Sequence, residues 1–444
     1  MYNTMNERLT TGITQRMKKF LEMQTSYLLH WLYNNIKITK YKITQLTAHE
    51  ALFFLSFGIF LFFSIVNTSF YATYLAHDRY DMILVVCVIL LVIRELLLHR
   101  MTLKSFIGLV LTGLLCLLVL INISNVQTAS ALIVMALLIY SSRDISFTKN
   151  VKLILVLTIF AMIFIILSGY VGLITNYQSI RPNDIARQYL GFRYALYPAG
   201  FLFNVSLLEI YLHREKITWK RLFILTLANY WIFLQTDGRL SFYLYLALLI
   251  VAVVMKLKKR SEIKNKTIRI FMLCSYVLAV PISFVCTLLY QPSSNLWRKF
   301  DAILGGRLSL GQSSLMKYGV SLLGNRDIVW VGNGLDRSGQ HASGAYLYVD
   351  NLYIQISQRL GVLFLGAIII LLTLLLFYAW KHKNGILMIC LTAVAIRCLI
   401  DDLSFYLYYN AFWLLIGTMI YTRKSLYPHR FWHTKKIRGI GSKT

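Results

Sequence analysis

The stretch WKRLFILTLANYWIFLQTDGRLSFYLYLALLIVAVVMKLKKR, residues 219–260, sets the fold class. Two apolar runs, 219–236 and 239–256, flank the turn Thr236, Asp237, Gly238, Arg239, and the second run ends in Lys256, Lys258, Lys259 and Arg260. Each is near the length needed to cross about 30 Å of hydrocarbon at about 1.5 Å per helical residue. An apolar hairpin with a basic anchor at one end reads as two antiparallel membrane helices whose Lys-rich end faces the cytoplasm.

The pattern recurs along the chain. Apolar runs fall near 51–71, 82–98, 105–122, 127–141, 152–171, 194–212, 219–236, 239–256, 269–290, 361–380, 385–400 and 404–421. Hydrophobic residues make up 57% of the 444 residues and charged residues 14%, with a mean hydropathy of +0.61, which leaves too little polar surface for a water-soluble protein. The expected architecture is an all-α polytopic membrane protein of about 12 transmembrane helices, with a large extracytoplasmic loop between helices 9 and 10.

Threading Lys and Arg through this topology puts about 33 on the side of the termini and about 13 on the other, of which about 7 lie in a long loop exempt from the charge rule. The expected organisation is a cytoplasmic basic tail, 1–50; nine spans, 51–290; an extracytoplasmic loop with amphipathic helices, 291–360; three more spans, 361–421; and a cytoplasmic basic tail, 422–444. The net charge of +28 lies in the tails and connectors beside membrane segments. That placement suits anionic lipid headgroups and argues against a nucleic-acid partner. The six cysteines all lie in apolar runs and none pairs in CxxC spacing, so neither disulfides nor zinc are expected.

Three external segments carry polar chemistry: 172–193, with Arg181, Asp184, Arg187 and Arg193; the turn with Asp237 and Arg239; and 291–360, with Arg298, Asp301, Arg307, Lys317, Arg326, Asp327, Asp336, Arg337, His341 and Asp350. Within the last, Leu308, Leu315, Tyr318 and Leu322 recur at helical spacing, as do Val349, Leu352, Tyr353, Ile356 and Leu360, so two amphipathic helices are expected against the membrane or capping the bundle. Arg239 stands in a turn that does not need a guanidinium, and such a group can grip phosphate oxygens bidentately. Its bland role is to snorkel to headgroups. Asp350 opens a helical stretch and so reads either as an N-cap or as a functional carboxylate. Arg397 and Asp401, at i, i+4 beside Asp402, read as a helix-end pair, and Glu209 as a group reaching the interface. P-loops, HExxH, GxSxG and dinucleotide fingerprints are lacking.

With these residues laid out, the chain resembles the Wzy-type polymerases and related ligases of bacterial surface polysaccharides. The resemblance rests on the segment Gln235 to Arg239, on GGRLSLGQSSL around Arg307, on LLGNRDIVWVGNG, on VDNLYIQISQRLG, and on YLGFRYALYPAGFLFN with Gly191, Phe192 and Pro198. It departs in having Asp237 and Gly238 where relatives often carry Ser before the Arg, and Asp350 where ligases place a His.

The resemblance implies an enzyme of the bacterial cytoplasmic membrane, a metal-independent and inverting glycosyltransferase without cofactors, which joins undecaprenyl-pyrophosphate-linked oligosaccharide repeats on the outer face and releases undecaprenyl pyrophosphate. Flippase and chain-length regulator proteins are the implied partners, beside membrane lipids. Asp350, Arg239 and Arg307 are the expected catalytic residues, with Asp237 as substitute base; Arg187, Arg193, Arg326, Asp237, Asn351 and Tyr353 are expected to hold pyrophosphate and sugar, with Tyr346 and Tyr348 as further rings for stacking. An O-antigen-type ligase remains open, as does a lipid-linked oligosaccharide flippase, although the latter would want charges at the membrane midplane.

Overall fold

The computed structural model describes residues 47–98, 101–180 and 186–420. Residues from Leu52 on form one compact unit, and the described part of Met1–Ala51 is the start of the first helix. Both basic tails lie almost wholly outside the described residues.

The helices α1 (Ala48–Asn67), α2 (His77–Leu98), α3 (Leu103–Asn122), α4 (Val126–Ser141) and α5 (Phe147–Val171) are followed by the hairpin β1 (Gln178–Ile180) and β2 (Ala186–Gln188). Then come α6 (Tyr197–His213), α7 (Trp219–Thr236), α8 (Arg239–Leu257), α9 (Lys266–Leu273), α10 (Ser275–Leu288), α11 (Asn295–Ile303), α12 (Arg307–Tyr318), α13 (Leu352–Arg359), α14 (Val362–Lys381), α15 (Gly385–Arg397) and α16 (Leu414–Ile420). Among the described residues, six helices are long and apolar enough to cross a membrane: α1, α3, α4 with its extension to Asp144, α5, α8 and α14. The pair α9 and α10, bent by 60°, makes a seventh if it is one span. The protein is therefore a polytopic helical membrane protein; the other helices of the expected dozen are shorter or more polar.

Exposure fits a hydrocarbon solvent. Along α3, Leu103, Leu111, Leu114, Leu117 and Leu120 all stand at least half exposed, as do Phe160, Ile163 and Leu167 on α5. Apolar patches of that extent are rare on soluble monomers. The converse case is α6, in which all but four residues are buried and which carries Pro198, Asn204 and Ser206. It is the core helix, sheltered by protein, so it needs less hydropathy than a lipid-facing one.

Two features of the sequence reading change. The last apolar run, 404–421, is not one helix: short 3-10 turns at Asp402–Phe405 and Ala411–Trp413 precede α16. Asp401 accepts from Leu403 N–H at 2.9 Å and Asn410 from Phe412 N–H at 3.2 Å, so polar side chains capture backbone donors that a continuous helix would use. In the 291–360 segment the two amphipathic stretches are α12 and α13, and α11 is a third helix that the apolar spacing did not reveal. The segment is joined to the bundle at Gly361, whose φ of +95° and close neighbours, the Leu322 carbonyl and Gly324 N–H, leave no room for a Cβ.

At the opposite end of the bundle, α2 and the turn after α4 share a charge network. Arg94, with no exposed side chain, meets Glu95 at 2.5 Å, and Arg143 grips both Glu95 oxygens. On α6, Glu209 pairs with His213 at 3.1 Å and Arg221 at 2.9 Å, a structural role near the end of the helix. Replacing Glu95 by Ala leaves two guanidinium groups short of a partner and is expected to cost roughly 3 kcal/mol. A thermal melt of the purified protein in detergent should fall by several degrees, whereas an unchanged melt would make this network dispensable.

Candidate functional site

At the end of the bundle that carries α11 to α13, local structure aims several charged groups at one place. Gly305 and Gly306, both at positive φ, turn the chain out of α11, and Asp301 accepts from Leu308 N–H at 2.8 Å, which fixes the start of α12. Arg307 is its first residue. Its Nη1 donates to the Leu304 carbonyl at 2.7 Å, its Nε to the Ile400 carbonyl at 2.6 Å, and its Nη2 meets Asp350 Oδ2 at 3.1 Å. Asp350 is not the N-cap of α13. Asn351 fills that role, accepting from Tyr353 and Ile354 N–H while its amide donates to Ser283. The carboxylate is left to the ion pair.

The turn between α7 and α8 supplies the second cation. Asp237, in the left-handed conformation at φ 47°, closes α7 through its N–H to the Phe233 carbonyl, and Arg239 then opens α8. Arg239 Nε donates to Asp237 Oδ1 at 2.9 Å, and the side chain remains 45% exposed, so it can reach for a ligand. Arg187, on β2, donates to the Thr236 carbonyl at 2.7 Å and braces the turn.

The third source is the segment after α15. Arg397 is buried against the Phe203 ring, pairs with Asp401 at 2.7 Å and donates to the Gly200 carbonyl at 3.3 Å. Asp402 is buried, and its Oδ2 accepts from Tyr348 Oη at 2.6 Å and Gln355 Nε2 at 2.8 Å. A cleft of about 100 Å³ collects Asp237, Arg239, Arg307, Asp350, Arg397, Asp401 and Asp402 in its lining. Three cations and four carboxylates thus face one small volume. That arrangement can bind a polyanion on the guanidinium groups and move a proton on a carboxylate.

Burial pushes the Asp350 carboxyl up to about 6, against the pull of Arg307 and with help from the Asp401 charge. Burial likewise raises Asp402 to about 7, reinforced by the charges of Asp350 and Asp401 and opposed by its two hydrogen bonds. Both therefore gain a proton in the folded state above the ordinary carboxylate range. Their stabilising contribution is complete below the unfolded value near 3.8 and is lost as pH rises through 6 to 7.

The other expected site residues lie elsewhere. Arg326 is exposed and outside the cleft. Arg193 donates to the carbonyls of Asn67 at 2.7 Å and Leu335 at 3.4 Å and lines a neighbouring chamber. Tyr353 is in the core with its hydroxyl on the Ala395 carbonyl, and Asn351 is occupied by its cap. Sequence reasoning undervalued Arg397, Asp401 and Asp402. The available signal was an Asp-Asp doublet at the end of an apolar run, close after an Arg.

A larger pocket of about 320 Å³ lies between α3, α4 and α14, lined by residues such as Leu111, Leu115, Met135, Ile368 and Trp413. It is almost wholly apolar and shares no residue with the cleft. Comparison with family models, curated proteins and solved structures finds no match for this chain. The charged cleft at one end of a helical membrane protein is what defines the class.

The two raised carboxyls make a pH effect measurable. The melting temperature in detergent should rise by a few degrees on acidification from pH 8 to pH 5. Asp402→Asn should flatten the upper part of that change. A wild-type melt that falls over the same range would contradict the electrostatics of the cleft.

Proposed function

We propose that this protein is a polysaccharide polymerase that joins undecaprenyl-pyrophosphate-linked oligosaccharide repeats on the outer face of the bacterial cytoplasmic membrane. The observation that carries the reading is the cleft in which Arg239 and Arg307, from separate segments, stand with the raised carboxyl of Asp350. The proposal also takes up the sequence resemblance to Wzy-type polymerases, including the termini in the cytoplasm.

In the reaction, an acceptor sugar hydroxyl attacks the anomeric carbon of the growing chain. A C–O bond to the acceptor forms, the C–O bond to pyrophosphate breaks, and its electron pair leaves on the pyrophosphate oxygen. Negative charge therefore builds where preorganised guanidinium groups are most effective. Arg307, held by two carbonyls, needs little reorganisation, and the more exposed Arg239 is free to close on the lipid-linked phosphates. Asp350 receives the acceptor proton. Burial, which raises the Asp350 carboxyl above the ordinary carboxylate range, makes its ionised form a stronger base than an ordinary aspartate. The prenyl tail would occupy apolar surface between helices, for which the pocket of α3, α4 and α14 is suited.

A deletion strain that makes lipid-linked single repeats in place of long chains on a gel supports polymerisation. Long chains left unattached to their acceptor would turn the reading toward a ligase, and unchanged polysaccharide toward a transporter. In a complemented deletion strain, Arg239→Ala should abolish long polymer with protein abundance in the membrane unchanged, because its one described ion-pair partner is Asp237, two residues before it in the same turn. Normal polymer from this variant would remove Arg239 from the site.

Asp350→Asn keeps the shape and removes the base. It should lower the elongation rate by 100-fold or more while changing the binding of lipid-linked donor only a few fold. Equal losses of binding and turnover would reduce Asp350 to a partner for Arg307.

A further inference from the structure

Beside the cleft lies a second cavity, of about 240 Å³, which the charge chemistry above does not use. At about 30 Å³ per molecule it has room for roughly eight waters, or for one pyranose ring in their place. Its walls come from the end of α1, the starts of α2, α4 and α6, Tyr348 and the segment 402–409. Tyrosines dominate: Tyr80, Tyr197, Tyr348, Tyr406, Tyr408 and Tyr409 all contribute.

The chamber also carries polar side chains. Gln127 Nε2, Arg193 Nε and Tyr409 Oη are buried without a hydrogen-bond partner among the described residues. Gln127, Arg193 and Tyr409 line the chamber, so an amide, a guanidinium and a phenol ring stand beside its occupant. Tyr406 and Tyr408 stack in an offset, near-parallel arrangement with ring centroids 5.4 Å apart, which adds an aromatic wall. Flat aromatic faces mixed with amides, hydroxyls, the Arg193 guanidinium and the Asp402 carboxyl suit a polyhydroxylated ring, which needs both donors and acceptors around a stacking face, better than a lipid tail.

The chamber and the cleft are neighbours. Asp402 and Leu403 line both. Asp402 Oδ2 accepts from Tyr348 and Gln355, which holds the carboxyl at the boundary of the two spaces. The chamber is also fastened from outside: Arg337 donates to Asn67 Oδ1 at 3.3 Å, to Gln127 Oε1 at 3.0 Å and to the Leu75 carbonyl, which pins the 335–341 stretch over its rim.

We infer that the tyrosine-lined chamber is a saccharide subsite, which holds a sugar ring of the repeat unit next to the anion-binding cleft, with Asp402 accepting a hydrogen bond from one of its hydroxyls. This rests on the polymerase reading and adds where the sugar sits. Sugar and pyrophosphate are then bound by different residues, and the two can be separated.

The test uses the full-length protein in detergent and two soluble probes: the repeat-unit oligosaccharide released by hydrolysis from the host's own surface polysaccharide, and inorganic pyrophosphate, each followed by calorimetry. Tyr408→Ala should weaken oligosaccharide binding at least tenfold and leave pyrophosphate binding within twofold, while Arg239→Ala should do the reverse. Tyr406→Phe, which removes only a hydroxyl and keeps the ring, serves where Tyr408→Ala lowers the melting temperature and should show a smaller loss in the same direction. Oligosaccharide binding that is lost in Arg239→Ala and unaffected by both chamber variants would put the sugar in the cleft and overturn the inference. So would a wild-type protein that binds no oligosaccharide. Neither outcome touches the polymerase reading, which stands or falls on the polysaccharide of the deletion strain.

Discussion

The Arg307 guanidinium ties together the segments that make the site. Through one side chain it binds the end of α11 at Leu304, the loop residue Asp350 and the carbonyl of Ile400 after α15. A cation with so little exposure needs that full set of acceptors, because a buried charge is tolerated only when paired and hydrogen-bonded. The close approach of the 291–360 segment to the α15 end follows, and with it the placing of Asp350, Asp401 and Asp402 around one cleft. Without Arg307 these carboxylates would repel one another at short range in a low-dielectric setting.

The same constraint separates two kinds of arginine. Arg307, Arg397 and Arg193 are bound to backbone carbonyls and hold the loop end of the bundle in shape. Arg239 is bound to a neighbour two residues away and is otherwise open. A site built from fixed charges with one adaptable member can be preorganised for a developing charge and still admit a bulky lipid-linked substrate.

Much of this was legible in the sequence, because hydropathy at helical length is a direct consequence of the solvent. The runs through Arg397 fall on helices, except that 269–290 is divided into α9 and α10 by a 60° bend, and the Arg239 turn and the Arg307 segment do meet at one cleft. What was not legible depended on pairing across the fold. That Asn351 caps α13 and frees Asp350 is decided by geometry at adjacent positions, since either residue type suits a cap. The break of the last apolar run depends on Asp401 and Asn410 capturing backbone donors, and the chamber depends on tyrosines from four parts of the chain. Tyr353, which looks like a ligand contact by type and place, is turned inward because its side of α13 faces the core.

Reconstitution measures joining of repeats without the rest of the cell. Full-length protein in liposomes would be given lipid-linked repeat units extracted from the deletion strain, and the products would be sized while released undecaprenyl pyrophosphate is assayed. A polymerase gives a ladder of chains, with one lipid pyrophosphate released for each repeat joined. Repeat units that cross the bilayer unjoined, with no pyrophosphate released, would contradict the polymerase reading.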